Sequence, residues 1–178
     1  MKYIKKYCEC WGIFREKEHS PEKETDDEAI LLSVADKLMY YQHINIKIFS
    51  PKELPEMPTI LPDLIFFMCE QDEILQRLEE LGKKGIIMVN EPKGVRNTFR
   101  QKTVTLLSQV HFFPQSRLLC PHQIPDEDIR SVWVKRGNYH AVTEEDVQYA
   151  RDKDSLIFIL KEFDRRNISS VVLQEHIP

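Results

Sequence analysis

Two lysines occupy positions from which a protein can bind an anionic group. Lys135 directly follows the apolar run Val132–Val134, so it emerges from a segment with the pattern of a buried strand. Lys102 lies in segment 97–109, where apolar residues recur at helical spacing. Two lysines on separate elements can neutralise a polyanion, because each ammonium group acts as a point charge. The alternative, that each lysine is a solvated surface residue, remains open.

Other groupings of reactive side chains are weak. The histidines show no H-E-x-x-H spacing, and the chain contains no G-x-S-x-G motif for a nucleophilic serine. No C-x-x-C pair is present, and most cysteines lie in or beside apolar runs, so we expect reduced thiols. No G-x-G-x-x-G follows the first predicted strand, which argues against a dinucleotide-binding domain of the usual kind. Segment 16–28 is rich in carboxylates, and its composition favours a solvated loop over an acidic binding site.

Composition narrows the class of protein. The chain has 178 residues, 42% hydrophobic and 30% charged, with a net charge of −4, as in a globular protein of one domain or one domain plus part of another. No basic surface pattern predicts nucleic-acid binding, and no apolar run approaches the roughly 18–20 residues of a membrane span. The N-terminal apolar stretch is short and is interrupted by Glu9, so no signal peptide is predicted. We therefore expect a cytoplasmic protein without nucleic-acid or membrane partners.

The first part of the chain alternates predicted strands and helices. The strands are predicted at 7–14, 44–49, 63–69 and 85–89, and the helices at 29–41 and 72–81. Segment 63–69 is almost continuously apolar, as in a strand covered on both faces of a parallel sheet. Residues 1–96 are therefore predicted to form an α/β domain with a parallel sheet, whose ligands bind outside the carboxyl ends of the strands.

From residue 97 onward the order of elements changes. Helices are predicted at 97–109, 143–150 and 153–166, and extended segments at 114–119, 131–135 and 169–176. This order predicts a small α+β unit over residues 97–178, with its helices on one face of an antiparallel sheet.

Three segments, in this order, resemble the ATP-grasp superfamily. They are Asn90-Glu91-Pro92 followed by Lys102, the run Val132–Gly137 (VWVKRG), and the run Val171–Pro178 (VVLQEHIP). In that family one lysine lies on the helix after an Asn-x-Pro joint, a second lysine ends a strand of the small lobe, and a linker strand follows. The resemblance covers most of the chain. It implies a Rossmann-like pre-ATP-grasp domain at 1–96 and an incomplete ATP-grasp small lobe at 97–178.

The resemblance also implies a site for ATP. Its residues are Lys102, Lys135, Arg136, His140, Gln174, Glu175 and Ile177. The lysines would contact phosphates. The glycine-rich flap that covers the phosphates in this family corresponds here to residues 136–140, which contain one glycine, so Arg136 and His140 would bind phosphate through their side chains instead. Gln174 would face the exocyclic amine of adenine, while main-chain groups of Glu175 and Ile177 would read the edge of the ring.

The sequence departs from the family pattern at Gln101, where many members have an aspartate before the first lysine. The Mg²⁺ ligands of the family would lie after Pro178. The implied function is the N-terminal part of a ligase that binds ATP and activates a small carboxylate as an acyl phosphate for attack by an amine or similar nucleophile. We expect this chain alone to be inactive, and a homodimer remains open. The alternative is a non-catalytic α/β module that binds a ligand or a partner.

Overall fold

A computed structural model of the chain describes residues 7–41, 43–56, 58–126, 129 and 131–177. These residues form two compact units, which divide between Arg96 and Asn97. The first unit contains a parallel sheet and the second an antiparallel sheet, so the predicted α/β fold class is confirmed. Within the described ranges, no helix is long and apolar enough to cross a membrane.

The first unit is a parallel sheet with helical connections. Its elements are β1 (Cys8–Ile13), α1 (Glu24–Met39), β2 (Ile44–Phe49), β3 (Leu64–Phe67), α2 (Asp72–Lys83), β4 (Ile87–Val89) and α3 (Pro92–Asn97), which ends at the boundary. The strand order is β2-β1-β3-β4, and all neighbouring strands are parallel. Short 3₁₀ turns at Lys17–His19 and Pro51–Glu53 follow β1 and β2.

Both faces of this sheet are covered by helices. Cys10 of β1 packs in one cluster with Leu31 of α1. The strand register places Met88 of β4 on the opposite face, and its side chain lies beside Gly82 of α2. Central strands buried on both faces explain the continuous apolar run in β3, which alternation alone would not produce.

The second unit is an antiparallel sheet with one large helix. Its elements are α4 (Arg100–Leu107), β5 (Ser116–Leu119), β6 (Val132–Arg136), β7 (Val147–Ala150), α5 (Lys153–Arg165) and β8 (Val171–Glu175). The strand order is β5-β8-β6-β7. Helix α5 packs Leu160 and Phe163 against Val134 and Leu173, which share one face of the sheet. The opposite face of the sheet, which we call the open face, carries Lys135 and its neighbours.

Three local features differ from the predictions. Segment 143–150, predicted as a helix, forms a 3₁₀ turn followed by β7, because Val147–Ala150 pairs with β6. A short helix that was not predicted, α3, begins at Pro92, which agrees with the tolerance of proline in a first helical turn, and the helix predicted at 97–109 forms as α4. Helix α1 begins at Glu24, so the second half of the acidic segment 16–28 is helical, and its carboxylates lie where the helix dipole favours them.

Candidate functional site

The open face of the antiparallel sheet carries polar and aromatic side chains at neighbouring positions. Trp133 of β6 lies opposite Tyr149 of β7 and opposite Gln174 of β8. Lys135 lies two residues along β6, on the same face. The alternation that buries Val134 under α5 therefore exposes this set of side chains on the other side of the sheet.

Lys135 is held by an amide and not by a carboxylate. Its Nζ donates a hydrogen bond to Oε1 of Gln174, and Nε2 of Gln174 donates to Oγ of Ser116 at 3.0 Å. An ammonium group has only donors, so it turns the amide oxygen toward itself. Partial burial lowers the pKa of Lys135, and the positive charge of Arg100 lowers it further. Among the described residues, no carboxylate forms an ion pair with this ammonium group.

Arg100 is a second cation of this site, and the sequence pattern did not single it out. It begins α4, and its NH1 donates to the carbonyl oxygen of Arg136 at 3.2 Å. Burial lowers the pKa of Arg100, the charge of Asp146 opposes that effect, and the charge of Arg136 adds to it. The signal that could have identified Arg100 is its spacing of four residues from Val104, the buried residue of α4.

Lys102 lies on the other side of α4. It follows Arg100 by two residues, which is a rotation of about 200° around a helix axis. Its side chain is exposed, and it makes no hydrogen bond or ion pair with another described residue. Of the two predicted lysines, the open face of the sheet carries Lys135.

Arg136 and His140 have protein partners. Nε of Arg136 donates to Asn138 at 2.9 Å, and NH1 of Arg136 lies 3.5 Å from the carboxylate of Asp146. Nε2 of His140 lies 3.2 Å from Oγ1 of Thr98. Strand alternation also places Arg136 on the α5 face of the sheet, away from Lys135. These two side chains support the loop after β6, and their predicted role at phosphate stays a prediction.

Asp146 organises the loop end of the second unit. The residue is fully buried, and its carboxylate accepts hydrogen bonds from the backbone N–H of Val142 at 2.8 Å and from the guanidinium of Arg166. Burial alone would raise its pKa, but the N–H of Val142, the guanidinium of Arg166 and the charge of Arg136 together hold the pKa below its ordinary value. The sequence pattern included Asp146 only as part of the helix predicted at 143–150.

Residues 174–177, which the resemblance assigns to adenine binding and which we call the hinge, already form hydrogen bonds within the protein. The backbone N–H of Glu175 donates to the carbonyl of Gln115 at 2.9 Å, and the carboxylate of Glu175 accepts from the backbone N–H of Gln115 at 2.7 Å. Ile177 lies beyond the end of β8 and is exposed. The backbone N–H of His176 also donates, to the carbonyl of Ser131 at 3.2 Å, so two N–H groups of this segment are already paired within the protein.

Three rings form an aromatic group beside this hinge: Trp133, Tyr149 and His176. Nε1 of Trp133 donates to Nδ1 of His176 at 3.2 Å. The centroid of the Tyr149 ring lies 5.2 Å from each of the other two ring centroids. The group offers a planar ligand an apolar surface on the open face of the sheet.

A separate cavity of about 540 Å³ lies in the first unit, at the carboxyl ends of β1 and β2. Its lining is mostly charged and includes Arg15, Glu16, Lys17, Ser20, Glu24, Asp27, Lys52 and Gln71. Arg15 donates to Glu70 and, at 3.4 Å, to Asp27, while its buried Nε has no partner among the described residues. Burial alone would lower the pKa of Arg15, but the charge of Glu70 raises it above its ordinary value.

Two buried residues depart from the prediction of a solvated loop at 16–28, although most side chains of this segment are exposed. Glu16 is 4% exposed, and its carboxylate accepts the backbone N–H groups of Glu70 at 2.9 Å and Gln71 at 3.0 Å. Ser20 is also buried and donates to Asp27. These hydrogen bonds join the loop after β1 to the loop after β3, so the acidic segment is part of the folded unit.

Comparisons with known proteins agree on the fold. No family model matches the sequence, and no curated protein matches it. Among solved structures, D-alanyl-alanine synthetase A from Vibrio cholerae superposes with a TM-score of 0.67 and 11% identity, over 97% of this chain and 60% of that one. The chain has an ATP-grasp fold. The D-alanine–D-alanine ligase from Coxiella burnetii matches with a TM-score of 0.62 and 12% identity, over 96% of this chain and 64% of that one.

A RimK domain ATP-grasp protein from Sphaerobacter thermophilus matches similarly, with a TM-score of 0.61 and 14% identity over 96% of this chain and 64% of that one. The chain thus spans less than two thirds of the length of these ATP-grasp proteins. At these identities the likeness confirms the predicted resemblance at the level of the fold.

The described ranges contain no group of three or more histidines, cysteines or carboxylates that could hold a metal ion. Mg²⁺ also binds through one or two carboxylates together with the phosphates of a nucleotide.

Proposed function

We propose that the complete protein is an ATP-dependent ligase, and that the open face of the second unit supplies part of its ATP site. One observation carries the proposal: Lys135 and Arg100 are half-buried cations whose side-chain nitrogens bond to neutral oxygens, those of Gln174 and of the Arg136 carbonyl. Neither cation contacts a carboxylate of another described residue. A partly desolvated cation without a counter-ion is costly, and a phosphate chain would relieve that cost.

The ligand that we propose for this face is ATP. Its phosphates would lie at Lys135 and Arg100, and its base would lie on the aromatic group of Trp133, Tyr149 and His176 near the hinge. Rings at offset or edge-to-face distances leave faces on which a planar base can pack. In this proposal Arg100 takes the role that the sequence resemblance assigns to Lys102.

For the cavity of the first unit we propose a small polar ligand, as a site argued separately from the ATP site of the second unit. Carboxyl ends of parallel strands are the usual ligand position in α/β sheets. The cavity combines the guanidinium of Arg15 with carboxylates such as Glu24, so a small zwitterion such as an amino acid fits its chemistry. The names of two matching structures, a D-alanyl-alanine synthetase and a D-alanine–D-alanine ligase, support this substrate class.

The proposed reaction is formation of an acyl phosphate. A carboxylate oxygen of the substrate would attack the γ-phosphorus with departure of ADP, and an amine would then attack the acyl carbon with departure of phosphate. Lys135 and Arg100 would neutralise charge on the phosphate oxygens as the bond to ADP breaks. We expect Mg²⁺ to accompany ATP in the complete protein, held by residues other than those described.

A second candidate function is a binding module without catalysis. It is favoured by the loop after β6, whose backbone is already paired: the N–H of Gly137 donates to the Ser170 carbonyl, and the Gly137 carbonyl accepts from the N–H of Gln101, both at 2.9 Å. A loop fixed in this way offers few free N–H groups to a phosphate.

Titration of the chain with ATP, with and without Mg²⁺, tests the proposal by calorimetry. We expect weak binding, because the chain supplies only part of a site, and no release of phosphate. Lys135→Gln should weaken binding by about 10–100-fold, since a charged hydrogen bond contributes about 1.5–3 kcal/mol. Lys161→Gln, on the exposed face of α5, is the matched control and should leave the affinity unchanged. Equal affinity of the Lys135 variant and the wild type would refute the proposed site.

A further inference from the structure

Four side chains form one row across the open face of the antiparallel sheet, one from each strand. Ser116 of β5 lies opposite Gln174 of β8. On the other side of Gln174 lie Trp133 of β6 and then Tyr149 of β7. This row, which we call the cross-strand row, is polar at its β5 end and aromatic at its β7 end. A planar base that packs on the aromatic end would therefore turn one edge toward Gln174.

A chain of three hydrogen bonds runs through the polar end of the cross-strand row. Oγ of Ser116 donates to the carbonyl oxygen of Pro114 at 2.8 Å. Nε2 of Gln174 donates to Oγ of Ser116 at 3.0 Å, and Oε1 of Gln174 accepts from Nζ of Lys135. All three hydrogen bonds are partly buried, so water competes with them less than it would on an open surface.

The direction of this chain is fixed at both ends. A carbonyl oxygen can only accept a hydrogen bond, and an ammonium group can only donate one. The hydroxyl of Ser116 uses its single hydrogen on Pro114, so it presents only lone pairs to Gln174. An amide turned the other way would place its oxygen against the hydroxyl oxygen with no hydrogen between them. Ser116 therefore fixes the end of the amide that points away from it, which is the oxygen.

A fixed amide oxygen has a consequence for the base that can lie beside it. The oxygen of Gln174 has two lone pairs, of which Lys135 uses one, so it can accept a second hydrogen bond. The exocyclic amine of adenine donates such a bond, whereas the carbonyl at the same ring position of hypoxanthine would bring two acceptors together. Without the hydroxyl of Ser116, only Lys135 would orient the amide, and a phosphate bound to Lys135 would weaken that hold. The amide could then turn its NH₂ group toward a carbonyl.

We propose that Ser116 is a positioning residue that makes the nucleotide site prefer a purine with an exocyclic amine over a purine with a carbonyl. Ser116 acts through Gln174 and does not itself contact the base. This role rests on the proposed ATP site of the open face, and it adds the residue that sets the preference for the base. Ser116 lies 58 positions before Gln174, so the sequence pattern around the hinge does not include it.

Titration of the full chain with ATP and with ITP tests the proposal. ITP has the same ribose and phosphates as ATP, but a carbonyl replaces the exocyclic amine. The indole N–H resonance of Trp133 in a ¹H–¹⁵N spectrum reports binding at the aromatic end, and Trp11→Phe assigns it, since the chain has two tryptophans. We expect the wild type to bind ATP about 10–100-fold more tightly than ITP, because ITP leaves two acceptors facing each other.

Ser116→Ala should tighten the binding of ITP by about 5–10-fold and change the binding of ATP by less than about 3-fold. A merely structural role would weaken the binding of both nucleotides, so a gain for ITP is specific to the orientation of the amide. Ser116→Thr keeps the hydroxyl and should keep the preference of the wild type. Ser108→Ala is the matched control: it removes an exposed hydroxyl that also donates to a backbone carbonyl, that of Thr105 at 3.2 Å, and should leave both affinities unchanged.

The outcomes separate the role of Ser116 from the ATP site itself. A wild type that binds ATP and ITP equally, or a Ser116→Ala variant that keeps the full preference for ATP, would overturn the role of Ser116 and leave the ATP site in place. A Trp133 resonance that shows no saturable shift with ATP would overturn the proposed ATP site, and the role of Ser116 with it.

Discussion

Replacement of Gly137 by alanine should destabilise the second unit, because the added Cβ atom would lie too close to Ser170. A Cβ atom at this position would lie 2.5 Å from Oγ of Ser170 and 3.0 Å from its carbonyl oxygen. The hydroxyl can rotate, although it donates to Oε1 of Gln101 at 3.0 Å. The carbonyl cannot move freely, because it accepts the N–H of Gly137 at 2.9 Å. The loop after β6, which contains Gly137, and Ser170, which precedes β8, must therefore move apart.

The cost follows from this close approach. Overpacking that requires a backbone shift costs about 1–3 kcal/mol. In a unit of this size, each 1 kcal/mol lowers the melting temperature by roughly 4–8 °C, so we expect a decrease of about 5–20 °C. Adding Ser170→Ala to Gly137→Ala removes the contact with Oγ and keeps the contact with the carbonyl. The double variant should therefore recover part of the loss and not all of it.

Urea denaturation, followed by the fluorescence of Trp133 in a Trp11→Phe background, reports on the second unit. Lys161→Ala, at an exposed position of α5 in the same unit, is the matched control and should change the unfolding free energy by less than about 0.5 kcal/mol. A loss below about 0.5 kcal/mol for Gly137→Ala, or an equal loss for Lys161→Ala, would show that the close approach does not determine stability.

Two further predictions concern buried carboxylates. Asp146→Asn should destabilise the second unit by roughly 3 kcal/mol, because it leaves Arg166 and Arg136 without their counter-charge, whereas Glu162→Gln, in an exposed pair with Arg165, should cost at most about 1 kcal/mol. The pKa of Asp146 is lower in the folded state than in the unfolded state. The ionised carboxylate therefore contributes to the free energy of unfolding above the unfolded pKa of about 4, and this contribution decreases as pH falls through the folded pKa. The free energy of unfolding should change less with acid pH for Asp146→Asn than for the wild type. Glu16→Gln should destabilise the first unit by about 1–3 kcal/mol, because two backbone N–H groups lose their charged acceptor, while the exposed Glu18→Gln should have little effect. Chemical denaturation curves measure all four variants, and equal losses within either pair would contradict the assigned role of the buried carboxylate.

The parallel sheet could be predicted because its signals are local. The apolar runs around Ile65 and Ile13 are long enough for strands and too short for helices, and α2 follows at helical spacing. Strand alternation likewise predicted that Lys135 emerges beside buried Val134. These features are determined by residues close together in the sequence, so the pattern of apolar residues predicts them.

The errors lie where distant partners decide the structure. Thr143 and Asp146 have the spacing of a capping box, which predicts a helix, and the box does form. It caps only a 3₁₀ turn, because pairing of Val147–Ala150 with β6 competes with the helix. Glu16 resembles the solvated carboxylates around it, but its partners are the N–H groups of residues 54 and 55 positions away. A prediction from neighbouring residues cannot identify partners that lie so far along the chain.

The choice between Lys102 and Arg100 depends on which side of α4 is buried. Burial of Val104 turns Arg100, four residues earlier, to the same side of the helix, and it turns Lys102 to the other side. The charge of the site depends in the same way on Gln174. A carboxylate at that position would neutralise Lys135, while the amide orients the ammonium group and leaves its charge available. A neutral partner for each cation is thus the condition under which this face of the sheet can attract a polyphosphate, and that condition is visible only when strand register, helix phase and side-chain partners are considered together.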